Sequence, residues 1–287
     1  MNSINIDRFL YSAEKSLARH KPLWKELPDA ATQLKSLVER LSDQQELLYA
    51  DNHYSVLMIF QGMDTAGKDS TIKYVTSGVN PMGFQVVSFR HPTHLELDHN
   101  YLWRYWRAMP ERGRIGIFNR SYYEEVGVVR VHPEILKQRN LPPESLNGDL
   151  WEQRLEDIRA LERHLIANGT VVLKFFLNVS KDEQKLRLIR RLEKPEKNWK
   201  FDPSDVDERL HWDSYQHVWE KALGATHCAD APWYVIPADH KWTMRVIVAQ
   251  ILNERLESLR LQYPAVNARQ KRKLEDALQR LQAEGDS

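Results

Sequence analysis

A lysine framed by two glycines and two aspartates, in Gly62-Met63-Asp64-Thr65-Ala66-Gly67-Lys68-Asp69-Ser70, is the stretch of this 287-residue chain best equipped to do chemistry. The spacing is GxxxxGK: the glycines permit a tight turn, successive backbone N–H groups form an anion-binding nest, and the lysine reaches outer phosphate oxygens. Gly62, Thr65, Ala66, Gly67, Lys68, Asp69 and Ser70 are therefore expected to bind phosphate. An ordinary glycine-rich turn with an incidental surface lysine would explain Gly62 and Gly67, but not Asp64. A carboxylate inside an anion cradle repels its ligand unless a cation stands between them. Mg2+, which takes carboxylate and phosphate oxygens together, supplies that cation. Asp64 is the first metal-ligand candidate. Asp69, where such loops usually carry Ser or Thr, is the second, the alternative being a carboxylate that stabilises the first turn of a helix.

A second constellation, Phe118-Asn119-Arg120-Ser121-Tyr122-Tyr123-Glu124-Glu125, closes another apolar run. Phosphate-loop enzymes commonly place an aspartate there to hold the metal, and Asn119 lacks that charge. Arg120 suits bidentate contact with a phosphoryl oxygen, and Glu124 would restore a carboxylate. Asn119, Arg120 and Glu124 are thus the nucleotide-side candidates, and Lys68, Arg120 and Asp64 the catalytic ones.

These residues need elements to hold them. The loop follows the apolar run Ser55–Phe60, which reads as a buried strand, and opens a helix. Further strands are expected at Phe84–Phe89, Gly113–Phe118, Thr170–Leu177 and Pro232–Pro237. Helical periodicity marks Asp29 to Leu48, Leu97 to Met109, Leu150 to Ile166 and Lys241 to Leu261. Ser180 with Glu183, and Ser204 with Asp207, read as capping boxes opening helices to about Glu193 and Leu223. Strands alternating with helices predict an α/β fold, a parallel sheet covered on both faces, with ligands at the carboxyl ends of its strands. The phosphate loop and Asn119-Arg120 both fall at that edge.

With 42% hydrophobic and 28% charged residues the chain reads as one soluble globular unit. A net charge of +1 gives no global drive toward nucleic acid or membrane, so neither is an expected partner. Cys228 is the single cysteine, and the first residues lack a signal-peptide core, which fits a reducing, cytoplasmic setting. Tyr101, Trp103, Tyr105 and Trp106 invite base stacking but read better as packing on the sheet. His91, His94 and His99 lack a complementary zinc pattern, and His132 and Cys228 are read as structural.

The strings GMDTAGKDS, FNRSYYEEV with VVRVHPE, PEKNWKF and APWYVIPADHKW, in this order, resemble the polyphosphate kinase 2 family over roughly residues 30 to 262. FNRSYYE, with Asn119 where many members have aspartate, is similar to the subfamily that accepts AMP as well as ADP. The resemblance implies a three-layer parallel sheet with a P-loop, thymidylate-kinase-like core and a helical lid. It further implies dependence on Mg2+ and inorganic polyphosphate as phosphoryl donor. AMP, ADP or other nucleotides are the expected acceptors, Mn2+ is the expected alternative metal, and a homo-oligomer is the expected assembly. The domain reading is a single unit over 1–262, with an N-terminal helical segment 1–50 and a lid at about 180–223, followed by a charged tail 263–287. The lid matches the basic run Lys181, Lys185, Arg187, Arg190, Arg191, Lys194, Lys197 and Lys200. A run of charge is ordinarily a solvated helix face; beside a phosphate loop it reads as a cover for a polyanion. Arg187 and Arg191 share a helical face, and with Lys181 and Arg190 they are the lid candidates. Lys73 and Arg90 are expected along the path of the polymer. Two other readings fit the loop: an ATP-dependent small-molecule or nucleoside monophosphate kinase, and a polyphosphate- or nucleotide-binding module without turnover.

Overall fold

Strand β1, Ser55–Gln61, is buried at every position, as a central parallel strand with helices on both faces must be. The computed structural model describes residues 4–284 except 15, 26 and 147, with the backbone alone for Lys200, so the outer ends of the expected N-terminal segment and tail, and the Lys200 side chain, lie outside the described residues. Strands β2 (Phe84–Ser88), β3 (Ile115–Asn119), β4 (Thr170–Asn178) and β5 (Trp233–Pro237) complete a five-stranded sheet in the order β2-β3-β1-β4-β5. All neighbours are parallel, with Phe60 opposite both Asn119 and Phe175. Each expected strand is present to within two residues at either end.

The chain leaves β1 toward one edge through α2 (Lys68–Val75) and returns past β1 toward the other edge through α6 (Leu150–Ala167) and α9 (Trp212–Thr226). Right-handed crossovers in opposite directions put their helices on opposite faces, giving three layers. Helix α1 (Ala30–Asp51) lies along α10 (Lys241–Ser258), which also touches α2, while α6 packs on β4 and α9. Ahead of α1, in a stretch with little periodicity, Phe9 and Leu17 are buried, Leu10 bridges Tyr234, and Tyr11 donates its backbone N–H to Trp233 O at 2.9 Å. They cover the edge of β5, whose unpaired backbone would otherwise be open to other chains.

Two helical expectations need correction. The segment Leu97 to Met109 is not one helix but two single turns, α3 (His94–Leu97) and α4 (Trp103–Trp106). Asn100 breaks it by accepting from Leu102 N at 3.1 Å, a local side-chain bond that competes with the helical ladder. Ser204 is not a cap: it lies inside α8 (Ser204–Asp207), and Asp202 instead accepts from its N–H and hydroxyl. A 3-10 turn, Glu208–His211, then separates α8 from α9. The Ser180 cap does form, Ser180 Oγ accepting from Glu183 N at 3.1 Å to open α7 (Lys181–Glu193). Between β3 and α6 the chain makes the turn α5 (Val128–Val131), and after α10 the tail forms α11 (Ala268–Ala283), which buries no residue.

Candidate active site

The turn from β1 into α2 depends on backbone conformations that side chains resist. Gly62 sits at φ +145°, and a Cβ there would stand 2.7 Å from Leu177 O. Gly67, at φ +110°, supplies the left-handed residue before α2. Thr65 takes φ +61° without being glycine, as does Arg120 at φ +64° beyond β3. Such conformations cost about 1–3 kcal/mol each and persist where the surroundings over-determine them.

Between these two turns and α7 lies a cleft of about 960 Å3 lined by nine lysines and arginines against three aspartates. Asp64, Thr65, Ala66, Gly67, Lys68, Asp69, Ser70, Lys73, Arg90, Asn119, Arg120, Arg187, Arg190 and Arg191, all expected from the sequence, are brought together there. Gly62 shapes the turn from beneath, and Glu124 stands behind Arg120. Lys181 is exposed at the first position of α7 and does not line the cleft, which corrects its place among the lid contacts.

Lys68 is buried, its Nζ donating to Gly62 O at 2.7 Å and Met63 O at 3.3 Å. Burial, and then repulsion from Arg120, holds its pKa below the ordinary lysine value, while Asp64, Glu124 and Asp69 pull it back up. Arg120 bridges two carboxylates at 3.0 Å each, Glu124 through Nη1 and Asp64 through Nη2. Glu124 first, and Asp64 after it, raise its pKa against the effect of burial, so it is a permanent cation. Asn119 Nδ2 donates to Asp69 Oδ1 at 2.9 Å and to Ser88 Oγ at 3.2 Å, tying the first turn of α2 to β2 and β3.

Arg187 has a different job from the one its charge suggests. Nε donates to Glu183 at 2.8 Å, Nη1 to Thr65 O and Ala66 O at 3.0 and 2.9 Å, and Nη2 to Ala238 O and Asp239 O at 2.6 and 3.0 Å. A guanidinium has five N–H donors, and all five are used. Arg187 is a strut between α7, the phosphate loop and the end of β5, which corrects its expected role as a phosphate clamp. Arg190 is largely exposed with its nearest carboxylate, Glu183, at 3.8 Å, and Arg191 pairs with Asp205 at 3.3 Å.

Lys197 of the basic run lines the cleft, as do Trp199, Asp205 and Lys241, which were not among the candidate site residues. Lys241 is the first residue of α10, just past β5 at the same carboxyl edge as the loop, and lies within the string APWYVIPADHKW; these were its available signals. Its pKa is lowered by burial and then by Arg187, Arg245 and Lys197, against Glu183, the signature of crowded cations. The aromatic cluster lines no part of the cleft: Tyr105 packs in the core 4.6 Å from the Phe89 ring, Tyr101 donates to Asp157 at 3.1 Å, and Trp106 is half exposed. His132 pairs with Glu208 at 3.0 Å, as a structural residue does.

The metal expectation can be tested on the donors present. Asp64 and Asp69 offer hard oxygens in the cleft, and Asn119 Oδ1 and Thr65 Oγ1 are buried oxygens with no hydrogen-bond partner. Mg2+ is typically held by one or two carboxylates, with phosphates and water completing its octahedron, so this donor set fits it. Among the described residues no group of three or more His, Cys, Asp or Glu side chains is arranged around one point.

Comparison with known proteins gives this geometry a lineage. The family model described as polyphosphate kinase 2 matches residues 26–264. An ADP-polyphosphate phosphotransferase of Rhodopseudomonas palustris is 52% identical over 249 residues, covering 86% of each chain. An AMP/ADP-polyphosphate phosphotransferase of Meiothermus ruber is 48% identical over 228 residues, 79% of this chain and 81% of that one. The crystal structure of polyphosphate kinase 2 from Arthrobacter aurescens superimposes with a TM-score of 0.84 at 34% identity, over 94% of this chain and 95% of that one.

Proposed function

This chain belongs to the polyphosphate kinase 2 family, and on that premise we propose that it transfers phosphoryl groups reversibly between inorganic polyphosphate and AMP or ADP. One observation carries the reading: a cleft with nine cationic side chains, walled on one side by the phosphate loop and on the other by a basic helix, matches a polyanion better than a short triphosphate.

Phosphoryl transfer passes through a loose transition state that needs alignment and charge neutralisation more than covalent help. The loop amides hold the phosphate being transferred, and Lys68 leaves the carbonyls of Gly62 and Met63 to reach its oxygens. Arg120, fixed by Glu124 and Asp64, aims its remaining N–H groups at the equatorial oxygens. Asp64 and Asp69, with Asn119 Oδ1 beside them, would hold Mg2+, which when bound neutralises charge between donor and acceptor phosphates. The acceptor is already an ionised phosphate, so no general base is required. Arg190, Arg191, Lys197, Lys73 and Lys241 accompany the remainder of the polymer, and Arg187 keeps the loop in shape beneath them.

We further place the protein in the cytoplasm, supported by its single, exposed cysteine. No helix among the described residues is long and apolar enough to cross a membrane. We read it as a homo-oligomer, supported by the exposed Leu274, Leu278 and Leu281 on one side of α11. The direct test incubates pure protein with Mg2+, polyphosphate and AMP or ADP and separates the products by chromatography. Lys68→Ala should lower turnover at least roughly 100-fold with an unchanged circular-dichroism spectrum. Near-normal ATP formation by folded Lys68→Ala would refute the assignment.

A further inference from the structure

Beneath the Arg120 turn lies a closed polar network that none of the steps above uses. Glu162 in α6 and Lys174 in β4 are wholly buried and paired at 2.5 Å. Lys174 directs its other two donors to Thr226 O at 2.7 Å and the Tyr123 hydroxyl at 3.2 Å. The second carboxylate oxygen of Glu162 accepts from both tyrosine hydroxyls, Tyr122 at 3.0 Å and Tyr123 at 2.8 Å. These two tyrosines are fully buried and lie between Arg120 and Glu124 in the chain.

A buried ion pair is poor evidence of stabilisation, because well-packed apolar residues of the same volume often do as well or better. What this pair supplies is a fixed point. Arg120 occupies φ +64°, a conformation that must be imposed from outside. Its turn is tied at the backbone where Ser121 Oγ accepts from Tyr123 N at 3.2 Å. At the far ends of the two rings it is tied again, to one oxygen of Glu162. Rigid rings act as levers between that oxygen and the backbone on either side of which Arg120 and Glu124 stand.

We propose that Glu162 and Lys174 are positioning residues for phosphoryl transfer, which hold Arg120 and Glu124 in working geometry through the hydroxyls of Tyr122 and Tyr123. The inference rests on the function proposed above. The distances assign the two tyrosines of FNRSYYEE to this task rather than to ligand contact, since neither reaches the cleft. Misplacement by about 1 Å at a charge-stabilising group costs on the order of 100-fold in rate, and the loss falls on kcat when ground-state binding is retained.

The test compares wild type with Tyr122→Phe/Tyr123→Phe, each single Phe variant, and an apolar version in which the double Phe variant also carries Glu162→Leu and Lys174→Met. Steady-state polyphosphate-dependent ATP formation and melting temperature are measured for each. The double Phe variant should lose roughly 10- to 100-fold in kcat, while KM for polyphosphate and nucleotide stays within about twofold. In the apolar version, melting temperature should recover to wild type or above while kcat stays low; a merely structural network would recover both. The single variants, each keeping one hydroxyl on Glu162, should fall between and supply the answer if the double variant fails to fold. Wild-type kcat in the Phe variants, or recovered kcat in the apolar version, overturns the proposal. A wild-type protein that makes no ATP from polyphosphate refutes the function reading instead.

Discussion

Replacing Arg187 by alanine distinguishes a strut from a ligand clamp, because the two roles predict different measurements. Arg187 is 5% exposed and gives all five donors to protein groups, four of them backbone carbonyls. Truncation strands those carbonyls and Glu183 in a site that water reaches poorly. Removing one partner from a buried charged network costs roughly 3–5 kcal/mol. For a domain of this size about 2 °C accompanies each kcal/mol, so the melting temperature should fall by roughly 6–10 °C. Polyphosphate and nucleotide use should suffer together, since the Thr65-Ala66 backbone of the proposed phosphate cradle loses its support. Differential scanning fluorimetry and the KM of each substrate are the readouts, with Arg190→Ala as control. Arg190, on the same helix but 56% exposed, should leave stability within about 0.5 kcal/mol and weaken polyphosphate use alone. An Arg187→Ala protein that melts like wild type and shows only a raised polyphosphate KM would falsify the strut assignment.

Four further outcomes follow from the cleft. Lys68 and Lys241 both have depressed pKa values, and an approaching polyanion raises them. Tripolyphosphate binding should therefore take up protons above the depressed values and below the ordinary 10.5, and its affinity should fall as pH rises through that window; calorimetry in two buffers of different ionisation enthalpy reads the uptake, and none at alkaline pH would count against the cation cluster. By the same linkage, the folded state binds fewer protons than the unfolded one in that window, so burial of Lys68 penalises stability below its folded pKa and the penalty lessens as pH rises toward 10.5. Gly62→Ala, with its Cβ at 2.7 Å from Leu177 O and a φ of +145°, should cost at least about 1–3 kcal/mol and abolish tripolyphosphate protection against heat; retained protection would mean that the loop tolerates another path. Asn119→Asp would set a carboxylate where Asn119 Nδ2 now donates to Asp69 at 2.9 Å, so the variant should melt lower than wild type without divalent cation and gain more from added Mg2+; equal Mg2+ responses would remove Asp69 from the metal site.

Much of the fold was legible because its signals are local. Strand β1 is a continuous apolar run from Val56 to Phe60, and β4 is one interrupted only by Lys174, a pattern that a strand covered on both faces requires; Gly62 and Gly67 mark the turn since few other residues take those dihedrals. The GxxxxGK spacing and the run Asn119-Arg120 each placed a cluster at the carboxyl edge without reference to anything distant. Local chemistry also misled: Ser204 has the sequence of a cap, but Asp202 competes for the same groups.

The assignment of individual charges was decided by tertiary structure alone. Arg187 and Arg190 are both arginines on one basic helix, yet the first faces the carbonyls of residues 65, 66, 238 and 239 and the second faces solvent. No local pattern separates them, because a backbone carbonyl is the same acceptor at every residue, and which ones converge on a guanidinium depends on how loops far apart in the chain are folded together. The Glu162–Lys174 pair is similar: in sequence it is one helix charge and one strand charge, and only the packing of α6 on β4 makes it the buried anchor of the Arg120 turn. The amino-acid sequence thus determined a phosphate-loop motif at the end of a parallel sheet, through residue types and spacings that act over a few positions. Which cations stay open in the cleft and which are committed to holding its walls together was decided by contacts between elements, where burial and hydrogen-bond geometry, not charge, distinguish one arginine from the next.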